Sequence, residues 1–209
     1  MIESHTMTET TSQPSSSRVS SRSRVQDLAY ICVFAALMIV LAFVAVPVGV
    51  FGVPIVLQNA AVVLAGLVLG GRRGFLAVAL FLGLGMLGLP VLAGGRTTLA
   101  ALAGPTIGYV AGYLISATVA GAIAYRAPAQ RRKTQAAIFA IAATVGLFLQ
   151  YLSGGLGLMW RAGLSFSEAA LAQVPFLIPD LAKFAFMVVI ALGIHAAFPD
   201  LLAPRRRSA

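Results

Sequence analysis

Six apolar runs alternate along the chain with short links that hold nearly all of its charge. They cover residues 28–47, 54–70, 74–92, 99–125, 134–159 and 179–198. A helix rises 1.5 Å per residue, so about 20 apolar residues cross the hydrocarbon core of a bilayer. The pattern therefore predicts an all-α integral membrane protein with six transmembrane helices. The links between the runs are an uncharged stretch at 48–53, the pair Arg72–Arg73, the sequence AGGRTT at 93–98, a basic stretch at 126–133 and a loop at 160–173.

Two prolines, Pro175 and Pro179, precede the last run. Proline lacks an N–H and clashes with the preceding turn, but it is favoured at the first helical position. The last helix is expected to begin near Pro179, with Asp180 in its first turn, where the helix dipole favours a carboxylate. Lys183 follows three residues later and falls on the same face. Ionisable groups at the edge of hydrocarbon are costly, so this pair is the leading candidate for a functional site. A structural ion pair that tethers the helix is the alternative.

Composition agrees with the pattern. The 209 residues are 59% hydrophobic and only 10% charged, against about 25% charged in a soluble domain. Residues 1–25 are rich in Ser, Thr and Arg, cannot bury a core, and are expected to be a disordered basic tail. Residues 26–200 form one membrane domain, and 201–209 are a second basic tail. The apolar run after the first tail is too long for a signal peptide. The lone Cys32 excludes a disulfide framework, and His195, within the last run, reads as a packing residue.

The net charge of +9 would suggest nucleic acid in a soluble protein. Here it reads as topology. With the N-terminus cytoplasmic, the inner segments carry Arg18, Arg22, Arg24, Arg72, Arg73, Arg126, Arg131, Arg132, Lys133 and Arg205 to Arg207, while the outer loops carry Arg96 and Arg161. Basic residues concentrate on the cytoplasmic side of membrane proteins, so both termini are expected inside, in the cell membrane. The start of the sixth helix then lies at the outer face, together with Arg96.

The candidate chemistry is binding. No metal-ligand spacing, no nucleophile elbow and no phosphate-cradling loop occurs, and no cofactor is called for. An Asp and a Lys side by side match a neutral polar head with N–H donors and a carbonyl. Arg96 offers a planar fork for a carboxylate. The three charges sum to +1, so a small organic monoanion would neutralise the pocket. Gly94 and Gly95 allow close backbone approach and a mobile loop beside Arg96. Tyr109 and Trp160 lie at the same level and could cover an apolar part of the ligand, with interfacial anchoring as the alternative for both. Arg161 is a rival for the carboxylate, or a solvated loop residue.

Four segments in order, PIVLQNAAVVLAGLVLG at 54–70, GLPVLAGG at 88–95, GPTIGY at 104–109 and PD-x-x-K at 179–183, resemble the BioY family. That family supplies the biotin-specific membrane component of energy-coupling-factor (ECF) vitamin transporters. The resemblance spans about residues 28–198. It implies a six-helix substrate-binding (S) component that holds biotin near the outer face, with Asp180 and Lys183 at the family's acidic and basic positions. It also implies partners: a transmembrane coupling protein and two cytoplasmic ATPases. The small-residue docking motif expected on the first helix, Ala-x-x-x-Ala, is absent; Cys32-x-x-x-Ala36 and Ala45-x-x-x-Gly49 come nearest. A self-sufficient carrier without ATPase partners, and a membrane enzyme using Asp180 and Lys183, are the competing readings.

Overall fold

The computed structural model describes residues 16–46, 55–128 and 130–201. The protein is all-α, apart from a two-residue antiparallel ribbon. In chain order the elements are α1 (Ser16–Ala42), β1 (Ala45–Val46), β2 (Ile55–Val56), α2 (Gln58–Leu69), α3 (Gly71–Met86), α4 (Thr98–Ala103), α5 (Ile107–Ala124), α6 (Arg132–Ala162), α7 (Phe166–Leu171) and α8 (Val174–Ala197). Among the described residues, four helices are long and apolar enough to cross a membrane: α1 from Arg24, and α5, α6 and α8.

Helix α2 lies at the centre. Eleven of its twelve residues are buried, leaving only Asn59 partly open. A helix that is apolar all round needs partners on every side. It is packed by α1, α3, α5, α6 and α8. The turn from α2 into α3 is Gly70 alone, at φ 83°, a conformation L side chains rarely adopt. Arg72 and Arg73, expected as a link, therefore belong to the first turn of α3. On the neighbouring face, α5 and α6 approach so closely at Gly108 and Gly157 that a Cβ on either would strike the other helix's backbone.

The helix limits differ from the expected runs in four places. Helix α1 begins at Ser16, so residues 16–25 of the expected tail are helical, extended from an apolar span that has already met the cost of nucleation. Residues 1–15, 202–209 and the 48–53 link lie outside the described residues. The second and third runs give helices of only 12 and 16 residues. The run 99–125 is broken into α4 and α5 by Gly104, Pro105 and Thr106: Gly104 closes α4 by bonding back to the Ala101 carbonyl, and Pro105 has no N–H to continue it.

The fourth difference bears on function. Helix α8 begins at Val174, not near Pro179. Pro175 takes the favoured first-turn place, and Pro179 sits inside the helix, where its missing N–H leaves the Pro175 carbonyl without its helical partner. Asp180 is the seventh residue of α8, beyond the reach of the terminal dipole, so its charge is balanced by side chains instead.

Candidate functional site

A cavity of about 140 Å³ opens at one end of the bundle, among the starts of α2, α5 and α8 and the later turns of α6. The loop from Leu92 to Arg96 closes one side. Asp180, Lys183, Arg96 and Tyr109 all line it.

Asp180 and Lys183 form an ion pair at 2.5 Å, one helical turn apart on α8. Asp180 is 2% exposed. Its second oxygen accepts the Tyr151 hydroxyl from α6 at 2.7 Å. The Lys183 ammonium also donates to the Val56 carbonyl at 2.6 Å and to Asn59 Oδ1 at 3.0 Å. The ammonium thus lies against three protein oxygens, on α8, β2 and α2. A charge this deep persists only when paired and hydrogen-bonded, and this one is both.

Arg96 is held differently. Leu92 and Arg96 exchange backbone hydrogen bonds at 2.9 and 3.2 Å, and Gly94 and Gly95, at φ 73° and 70°, turn the chain between them. The guanidinium makes two long contacts, Nε to the Ala93 carbonyl at 3.4 Å and Nη1 to Thr106 Oγ1 at 3.5 Å. No carboxylate pairs with it among the described residues. Its remaining donors face a cavity whose other two charges cancel, leaving a net +1 for an anionic group.

Gly94 and Gly95 shape the loop but do not line the cavity, which Ala93 and Arg96 reach instead. Trp160 is not brought to the site. It is 70% exposed on the last turn of α6, under the Arg161 guanidinium at 4.9 Å from the ring centroid. Arg161 donates to the Leu102 carbonyl and is likewise outside the cavity. His195 packs between Phe139 and Tyr125 with Nε2 at 2.9 Å from the Leu67 carbonyl, away from the cavity.

Several polar lining groups were not singled out from the sequence, Gln58, Asn59, Gln150 and Tyr151 among them. Gln58 donates both amide hydrogens, to the Met38 and Val91 carbonyls at 3.1 and 2.8 Å, tying α1 and the Arg96 loop to α2. Gln150 Nε2 donates to the Asn59 carbonyl and to Ser116 Oγ, both at 3.1 Å. Tyr151 supports Asp180. The signal was present as polar pairs inside apolar runs, Gln58–Asn59 and Gln150–Tyr151. Packed against α6, α7 starts at a capping box in which Ser165 and Glu168 bond reciprocally, and those bonds hold the Glu168 carboxyl below its ordinary pKa.

The arrangement is a polar head-group socket with a separate cation, walled by tyrosines and apolar side chains. Its likeness to known proteins agrees. The family model described as "BioY family" matches residues 10–200. A protein of Rhodobacter capsulatus named "Biotin transporter BioY" is 41% identical over 191 residues, covering 86% of this chain and 98% of that one. A Rhizobium etli protein of the same name is 35% identical, covering 85% and 97%. The solved structure titled as the S-component for biotin from an ECF-type ABC transporter superposes with a TM-score of 0.74 at 27% identity, covering 84% of this chain and 93% of that one. This chain belongs to the BioY family.

Proposed function

We propose that the protein is a biotin-capturing S component. It lies in the cell membrane as a six-helix bundle with both termini in the cytoplasm, and it works with a transmembrane coupling protein and two ATPases. The relatives are named as transporters, and transport rather than catalysis is the activity the family points to. The observation that carries the reading is the cavity's charge pattern: a tightly paired Asp180–Lys183 and, apart from it, an Arg96 that has no carboxylate partner among the described residues. Biotin presents a cyclic urea at one end and a single carboxylate at the other. Asp180 accepts a urea N–H, Arg96 holds the carboxylate, and Tyr109 with its apolar neighbours covers the chain between them.

The basic residues favour the cavity end as the outer face, since Arg72 and Arg73 at the start of α3, Arg126 just after α5 and Arg131 to Lys133 at the start of α6 lie at the opposite end from Arg96. Helices α2 and α3, joined at Gly70, serve as the second and third spans, with α2 enclosed by its neighbours. Isothermal titration of the purified protein in detergent with biotin tests the reading. Tight binding that is much weakened in Asp180→Ala is expected; no binding by the unaltered protein overturns it.

A further inference from the structure

Asn59 is the one residue of α2 that is not buried, and it lines the cavity. Both of its oxygens are committed. Its backbone carbonyl accepts Gln150 Nε2, and its Oδ1 accepts the Lys183 ammonium. An amide carries its donors and its acceptor on opposite sides, so this contact decides which way the side chain faces. Turning it over would set an NH2 group against an ammonium, two donors together with no acceptor. Asn59 Nδ2 is therefore held on the side away from Lys183, and no protein acceptor takes its hydrogens among the described residues.

The same ammonium contacts Asp180. One cation thus contacts both an acceptor, Asp180, and the amide of a donor, Asn59, and holds the two in place beside it. The edge of a cyclic urea presents the complement, a carbonyl oxygen beside an N–H. We propose that Asn59 donates to the carbonyl oxygen of the ligand's cyclic urea and is a specificity-determining residue of the site. The assignment rests on biotin as the ligand. It moves the donor for that oxygen from Lys183, whose ammonium is held by Val56, Asn59 and Asp180, to the neighbouring amide. A site built around a fixed donor rejects analogues that cannot accept from it, because the donor is left unpaired.

The test compares two ligands of equal charge, biotin and 2-thiobiotin, in which a weakly accepting sulfur replaces the carbonyl oxygen. Titration calorimetry on the full chain in detergent gives the affinity ratio. The unaltered protein should prefer biotin by about tenfold, the scale of one hydrogen bond. Asn59→Asp keeps an oxygen for Lys183 but replaces the NH2 with an acceptor, and the preference should vanish. Asn59→Ala, which adds no charge, should lose it too, and decides the matter if the aspartate variant does not fold. Damage that is merely structural weakens both ligands alike and leaves the ratio unchanged; that result in either folded variant overturns the proposal. If the unaltered protein binds neither ligand, it is the assignment of biotin that fails.

Discussion

Tyr151 on α6 donates to Asp180 Oδ2 on α8 at 2.7 Å, so the two oxygens of one buried carboxylate are shared between a phenol and the Lys183 ammonium. The pair joins two helices across the cavity, and it compensates for the dipole that Asp180 lacks by lying deep in α8. Tyr151→Phe removes a hydrogen bond to a charged acceptor, worth about 1.5–3 kcal/mol where the group stays buried. Thermal unfolding in detergent should show that loss. Asp180→Asn and Tyr151→Phe should be non-additive in combination, because they remove one interaction. Simple additivity would mean the two side chains act independently.

Arg96 should act on the opposite end of the ligand. Arg96→Gln removes a charge-assisted bond, so biotin binding is expected to weaken by about ten- to a hundredfold. Biotin methyl ester has no carboxylate to lose, and its affinity should barely change. Equal weakening of acid and ester would show that Arg96 supports the loop and not the ligand. Trp160 gives the contrasting case. It is mostly exposed and outside the cavity, so Trp160→Ala should leave biotin affinity within about twofold, as surface changes away from a site usually do.

The apolar runs and the charges between them made the helical class legible, and residue spacing put Asp180 and Lys183 on one face. Boundaries were harder. Pro175 and Pro179 lie four residues apart and either can open a helix, so the start expected near Pro179 fell about one turn late, α8 taking Pro175 into its first turn instead. The break at Gly104–Thr106 was written as Gly-Pro but hidden inside continuous hydropathy. Asn59, Gln58 and Tyr151 were visible as polar residues in apolar runs, yet their partners come from other segments 20 to 124 positions away. Trp160 shares the level of the cavity but not its direction, which the phase of α6 sets.

The capping box of α7 predicts a local pH dependence. Glu168 is held below its ordinary value of 4.5 by bonds from the Ser165 hydroxyl and backbone N–H. A depressed carboxyl pKa contributes stability that is complete above the unfolded value and is lost as pH falls through the folded one. Amides of α7 should therefore exchange faster relative to α8 as pH drops below about 4.5, after correction for intrinsic rates. Glu168→Gln should remove that pH dependence. Protection in the unaltered protein that is flat across the window would exclude the contribution.

Energy for uptake has no visible source in the chain. It carries no phosphate-binding loop. Beyond the cavity, the route toward the opposite end is filled by the buried residues of α2 with Phe81 and Phe139, both fully enclosed. A path for a charged ligand through such packing would need the whole bundle to move, because a carboxylate in an apolar interior costs many kcal/mol. The protein alone in liposomes should therefore bind biotin without raising the internal concentration above the external one. Adding a coupling protein and ATPases of an energy-coupling-factor transporter, with ATP at the nucleotide-binding side, should give accumulation. Accumulation by the lone protein under an ion gradient would instead favour a self-sufficient carrier, and Asp180 would then be the first group to examine for coupling.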